Sequence, residues 1–199
     1  QHDSAAGAGA GRDAQEYFER TGERSRWTNS IFGGMPTYQM AQSYDSTKSL
    51  SWVEKTYQLY LPDYVVLTFI MMLGFYILLR AFGISAWLAG FGGIIWAFSS
   101  YFFILIPAGH IWKFVTLAYI PPTIAGIVLA YRRKYLLGGI ITALFIALQI
   151  RSNHIQMSYY FMFVILFIIG AYFEEAYKKK ELTHFFKASA ILALAAMVG

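Results

Sequence analysis

Tyr64-Val65-Val66-Leu67-Thr68-Phe69-Ile70-Met71-Met72-Leu73-Gly74-Phe75-Tyr76-Ile77-Leu78-Leu79 contains no charged residue, and Asp63 and Arg80 bracket it. Wound as a helix, it shows apolar residues on every side, so no face of it is suited to water and its proper surroundings are lipid or other apolar helices. Five further stretches downstream read the same way, at residues 86–106, 114–131, 135–150, 157–173 and from 185 onward. Several fall short of the roughly 20 residues of a perpendicular span, and flanking Tyr, Trp and polar residues complete them. The expected fold class is all-α: a polytopic membrane helix bundle of about six spans.

Composition agrees. Of 199 residues 57% are apolar and 14% charged, with a mean hydropathy of +0.46, whereas about a quarter of a soluble domain is charged. Thirteen of the 27 Lys, Arg, Asp and Glu residues lie in positions 1–60. Residues 1–60 therefore form an aqueous or interfacial loop domain, and residues 61–199 the transmembrane bundle. The net charge of +5 arises in the second part, where ten basic residues face four acidic ones. These cations mark span ends, so they are a topology signal and imply no nucleic-acid partner. Soluble enzymes are excluded as well, and the absence of cysteine excludes disulfides and thiolate metal sites. The sequence opens at Gln1 without an initiator Met or signal peptide and stops at Gly199 inside an apolar run, which suggests an internal piece of a longer polytopic protein.

Within the first sixty residues, Asp13 and Glu16 have capping-box spacing and Gly22 is a suitable stop, which predicts a short surface helix whose Asp13, Glu16 and Glu19 form a solvated face. Trp27, Asn29, Gly33, Gly34 and Pro36 then shape an ordered loop with tight turns. Leu50, Val53, Tyr57 and Tyr60 recur at helical spacing opposite Ser51, Glu54 and Lys55. That pattern predicts an amphipathic helix, lying on the membrane surface or packed on the bundle. In the bundle, Pro121-Pro122 removes two helix donors and predicts a kink, while Gly90, Gly92 and Gly93 permit close helix contact.

Arg80, Arg132-Arg133-Lys134 and Lys178-Lys179-Lys180 follow alternate spans and so share one side, which the positive-inside rule makes cytoplasmic. Residues 1–60 and the connections at 107–113 and 151–156 then lie on the extracytoplasmic face. Those two connections hold the chemistry. Lys113 and Arg151 stand where basic residues are disfavoured, each three positions from a histidine, His110 and His154. A fixed anionic ligand such as a phosphate or pyrophosphate accounts for them, with Asn153 and Gln156 adding neutral hydrogen bonds. The competing account has the two cations snorkelling to lipid headgroups and the histidines capping helix ends. A two-histidine metal site lacks a carboxylate in either connection, so the metal question stays open, and a divalent metal is compatible only if carboxylates of the first loop, including Asp3, complete it. Asp3 itself stands at the head of that loop, where a carboxylate could deprotonate an acceptor hydroxyl; by spacing alone it is a solvated aspartate.

Several segments resemble a family when taken together in their order: Trp27-Thr28-Asn29-Ser30-Ile31-Phe32-Gly33-Gly34-Met35-Pro36-Thr37-Tyr38-Gln39, Ala108-Gly109-His110 with Lys113, Ala118-Tyr119-Ile120-Pro121-Pro122, and Asn153-His154-Ile155-Gln156 with Tyr159-Tyr160. Across nearly the whole chain they are similar to the YfhO-type bacterial multi-pass membrane proteins. That family in turn resembles the GT-C glycosyltransferases, enzymes with a large first extracytoplasmic loop that take a sugar from a polyprenyl-phosphate donor. The resemblance implies a GT-C-like fold with a helical first loop in the bacterial cytoplasmic (inner) membrane. It also implies a polyprenyl-phosphate-linked sugar and a cell-envelope glycan or lipid acceptor as partners beside membrane lipids. Asp3 matches the acidic base position of the first loop, and His110, Lys113, Asn153 and His154 line the donor site.

The expected function is transfer of that sugar to the acceptor, with Lys113 and Arg151 stabilising phosphate charge as it develops. The rival is a transporter or flippase of a lipid-linked anion. A transporter places polar residues near the bilayer midplane, where these spans hold little beyond Ser99-Ser100 and Thr142. A scaffold without catalysis leaves both histidine-containing connections unexplained.

Overall fold

The computed structural model describes residues 9, 11–30, 32–37 and 48–199. Among them the protein is almost entirely helical. Helix α1 (Arg12–Thr21) starts at Gly11 and closes on a left-handed Gly22, whose N–H bonds to the Phe18 carbonyl, the stop expected from the sequence. Its start differs from expectation. Asp13 and Glu16 form no reciprocal cap; Glu16 instead pairs with Arg12 at 2.8 Å. Asp13 turns to a small antiparallel hairpin of β1 (Trp27–Thr28) and β2 (Met35–Pro36).

Helix α2 (Lys48–Tyr57) is followed by the bundle helices α3 (Asp63–Ala81), α4 (Ala86–Ala97), α5 (Ser100–Ala108), α6 (Ile111–Tyr131), α7 (Tyr135–Arg151), α8 (Ile155–Lys179) and α9 (Leu182–Val198). All six apolar stretches are helical, the second as two pieces, α4 and α5, bent by 45° at Phe98-Ser99. Three helices, α3, α6 and α8, are long and apolar enough to cross a membrane, and the bent α4–α5 pair brings the number to four. At 17 residues each, α7 and α9 sit at the short end of what can span.

Helix α6 is the axis of the bundle, touching α3, α5, α7, α8 and α9. From Pro121 to Tyr131 every residue but Ile124 is buried. The two prolines do not interrupt it, because the helix runs unbroken through both. Pro122 brings no N–H to the Ala118 carbonyl, and α3 packs against that spot: a Cβ on Gly74 would stand 2.6 Å from the Ala118 oxygen. Packing against α7 is closer still. A Cβ on Gly126 would fall 2.4 Å from Thr142 Oγ1, and one on Gly138 2.5 Å from the Ala130 nitrogen. Gly126 with Ala130, and Gly138 with Thr142, form facing pairs of small residues four apart, which let two backbones approach where lipid offers no hydrophobic drive to associate. Of the glycines in α4, Gly92 and Gly93 lie against Leu79 and the Met72 carbonyl, and Gly90 meets nothing within 4 Å.

Val66, Ile70 and Met71 of α3, Phe102 and Leu105 of α5, Phe114 and Tyr119 of α6, and Phe145 and Leu148 of α7 form the main core. Helix α8 is peripheral, with Phe161 and Ala176 its only buried residues.

Candidate functional site

The ends of the bundle sort by charge. At one end the Arg132 Nη1 donates to the Ala81 carbonyl at 2.7 Å, Arg133 pairs with Glu181 at 2.7 Å, and His184 Nε2 lies 2.7 Å from the Tyr131 carbonyl. These contacts draw the connections after α3, α6 and α8 together, so the three basic clusters share an end, as their alternation along the chain requires. The opposite end carries the 107–113 and 151–156 connections and α2.

His110 is the residue before α6, and Lys113 sits in its first turn with its ammonium 5.6 Å from the centre of the Tyr101 ring. Across from them His154 precedes α8, and its Nδ1 accepts from the Met157 N–H at 3.4 Å. The two connections lie at the same end of the bundle, where Thr116 of α6 bonds to Ser152, close enough for the charges of one to act on His154 of the other. Burial lowers the His154 pKa below that of a free imidazole, and the charges of Lys113 and His110 lower it further against an opposing backbone hydrogen bond. These effects favour the neutral form of the His154 imidazole. Asn153 takes a left-handed turn at φ 56°, a conformation asparagine tolerates, and exposed Gln156 bonds to the Tyr160 hydroxyl at 3.1 Å. Among the described residues no group of three His, Asp or Glu is placed to hold a metal.

Arg151 is placed differently from the other cation. Its Nη1 is ion-paired with Glu54, and its Nη2 donates to Ser51 Oγ at 2.7 Å. Glu54 also accepts from the Tyr119 hydroxyl at 2.8 Å, and Gln58 donates to that hydroxyl at 3.3 Å. Below this network Thr116 and Ser152 share a 2.5 Å hydrogen bond that joins α6 to α7. Helix α2 is therefore packed on the bundle, the second of the two expected placements, with Leu50 and Tyr57 against the core. The Tyr57 ring meets Phe145 edge-on at 5.0 Å. Its predicted faces need correction: Glu54 points inward, its side chain 17% exposed, and Tyr60 points out, 64% exposed, in a turn at φ 53°. Tyr60 lies beyond the end of α2, so helical spacing does not carry its side chain onto the same face.

Glu54 is the residue the sequence pattern missed. The available signal was electrostatic: Arg151, a cation at the end opposite the three basic clusters, calls for a counter-charge, and Glu54 is an acidic residue just ahead of α3.

The loop-shaping residues gather at α1. Trp27 Nε1 donates to Asn29 Oδ1 at 3.0 Å. Gly33 and Gly34 have φ of 70° and 122°, and a Cβ on Gly34 would stand 2.7 Å from the Trp27 indole nitrogen. Pro36 pairs with Trp27 across the hairpin. Thr28 Oγ1 lies 2.7 and 2.8 Å from the two Asp13 oxygens, and the Asn29 N–H donates to Asp13 at 3.0 Å. The Thr28 hydrogen bond, with the Asn29 N–H and others, holds the Asp13 carboxyl at about 2. Asp13 is a structural anchor for the loop and not merely part of a solvated face. The proposed base, Asp3, lies outside the described residues.

Searches of family models, of curated proteins and of solved structures find no match for this chain.

Proposed function

We propose that the end of the bundle bearing His110, Lys113 and His154 binds the phosphate of a polyprenyl-phosphate-linked sugar, and that the chain belongs to a membrane glycosyltransferase acting on the extracytoplasmic face. The observation that carries this reading is the placement of both histidine-containing connections at one end of the bundle with Lys113, whose ammonium lies over the Tyr101 ring and has no ion pair among the described residues. An ammonium at the edge of a low-dielectric bundle is a point charge suited to phosphate, and a neutral imidazole beside it supplies a hydrogen bond without repelling a second cation. The sugar-transfer step rests on the resemblance to YfhO-type and GT-C proteins.

In that step the acceptor oxygen attacks the anomeric carbon while the bond from that carbon to the lipid phosphate breaks. The phosphate leaves with the electron pair, and Lys113 stabilises the charge it gains. The acceptor proton passes to Asp3. A single displacement of this kind inverts the anomeric centre. Asn153 and Gln156 are assigned hydrogen bonds to the donor. Arg151 is assigned to it as well, and because Glu54 already neutralises Arg151, the phosphate must share or displace that carboxylate.

Binding of a polyprenyl-phosphate analogue to the chain in neutral detergent tests the site. Lys113→Gln should weaken binding roughly ten- to a hundredfold, the worth of one charge-assisted hydrogen bond, with thermal unfolding unchanged. Equal affinity of the two proteins would assign Lys113 to lipid headgroups instead. For the reaction, Asp3→Asn should slow transfer by about a hundred- to ten-thousandfold while analogue binding persists. Vectorial movement of the intact lipid-linked sugar without transfer would identify a transporter.

A further inference from the structure

The end of the bundle away from the proposed donor site holds a cavity of about 500 Å³, bounded by the ends of α3, α6, α8 and α9. We infer that it is a binding site for the phosphate headgroup of an anionic membrane phospholipid, with Arg132 as the principal ligand.

Charge in the cavity is mostly internal. Arg133 is paired with Glu181 at 2.7 Å and Lys179 with Glu175 at 2.6 Å. His184 is occupied on both nitrogens: Nε2 lies 2.7 Å from the Tyr131 carbonyl, which can only accept, and Nδ1 lies 2.6 Å from the Tyr135 hydroxyl. Arg132 is different. It lines the cavity and spends one N–H on the Ala81 carbonyl, and no carboxylate is bonded to it among the described residues. Its guanidinium lies over the Gly83 turn, where a side-chain carbon would already stand 3.4 Å from Nη1. A planar fork of donors with one tooth fixed on the backbone is preorganised for a phosphate, at smaller entropic cost than a free arginine.

The walls point to a lipid. Tyr172 and Phe185 stack on Tyr131 with centroids 4.4 and 5.5 Å away, a rigid aromatic side to the cavity. Phe82 in the lining is exposed, and from Phe185 an exposed aromatic surface continues outward, with Phe173 and Phe186 meeting the Phe185 ring and Tyr177 stacked on Phe173. Exposed aromatic rings beside cations at helix ends mark the level where acyl chains meet headgroups. Basic pockets between spans on the side rich in Lys and Arg are suited to anionic headgroups, and this end carries all three basic clusters. A soluble phosphate ester would gain the same contact with Arg132 but would leave the aromatic rim uncovered.

Native mass spectrometry of the full chain from nanodiscs of equal phosphatidylglycerol and phosphatidylcholine tests the assignment. The wild type should retain phosphatidylglycerol preferentially, and Arg132→Gln should reduce the bound fraction by about tenfold in apparent affinity. Arg132→Lys should keep most of the preference. Equal retention of the two lipids by the wild type would overturn the proposal by itself, so it stays falsifiable even if Arg132→Gln does not fold. Undiminished preference in a folded Arg132→Gln would overturn it equally. Inorganic phosphate and glycerol 1-phosphate provide the second arm: at millimolar concentration they should leave the bound lipid in place. If they displace it and bind the chain in lipid-free detergent, the site serves a soluble phosphate and the lipid assignment fails.

Discussion

Replacing Glu54 by Gln should loosen α2 from the bundle without unfolding the spans. Glutamine keeps the shape and an oxygen for the Tyr119 hydroxyl, so the loss is confined to the ion pair with Arg151. Side chains 17% and 28% exposed place the pair between a surface bridge and a buried one. Hydrogen bonds to charged groups contribute about 1.5–3 kcal/mol, and solvent at the Arg151 side favours the lower half, near 2 kcal/mol. At about 1.4 kcal/mol per decade, that is roughly a thirtyfold rise in the opening equilibrium of α2. Amide hydrogen exchange of Trp52–Tyr57 in micelles reads it directly, with α6 amides as the internal reference. Arg151→Gln should have a similar effect, and the double variant should cost clearly less than the sum, with a coupling above about 1 kcal/mol. Additive effects, or less than a twofold change in α2 exchange for either single variant, would refute the latch. The same variant bears on the proposed donor site. If Arg151 takes part in phosphate binding, removing the competing carboxylate should tighten binding of a polyprenyl-phosphate analogue; if Lys113 and the histidines act alone, affinity should not change.

Single cysteines at Gln156 and Lys134, both exposed, should be labelled from opposite sides of the membrane, Lys134 from the cytoplasm; labelling from the same side would break the topology. Ser152 is a poor reporter because it is 4% exposed and bonded to Thr116. Gly126→Val drives a side chain into Thr142 and its backbone nitrogen, so it should cost at least about 3 kcal/mol or abolish the folded bundle, measured by thermal unfolding in detergent, whereas Gly90→Ala should be silent. Asp13 has a folded pKa of about 2 against an ordinary 3.8. Its contribution is therefore complete above about pH 4 and is lost as pH falls through 2, the direction for a depressed carboxylate. Exchange of the Asn29 amide should accelerate across that window relative to its intrinsic rate, and Asp13→Asn should remove the pH dependence where Glu16→Gln does not.

Helix positions in the bundle were legible because lipid imposes a simple condition: each backbone polar group must be bonded within its own segment, so uncharged apolar runs become helices. Residues 64–79 and their five successors satisfy it, and the alternation of Arg80, Arg132–Lys134 and Lys178–Lys180 placed their ends. Such signals are local or follow from counting spans. The convergence of His110, Lys113 and His154 was foreseeable for the same reason, since alternating spans bring every second connection to one end.

Pairings between distant elements were decided by tertiary structure alone. Glu54 and Arg151 are 97 positions apart, and nothing in helical periodicity states which face of α2 a carboxylate prefers once a half-buried cation competes with water for it. The continuous span through Pro121 and Pro122 was read from the sequence, but the close approach of Gly74 to the Ala118 carbonyl, where the ladder loses a donor, was not. The sequence by itself determined that the chain is a bundle of apolar helices with polar chemistry at its ends. Which cation meets a protein carboxylate and which does not was a matter of three-dimensional neighbours, since charge compensation acts through space and leaves no periodic trace along the chain.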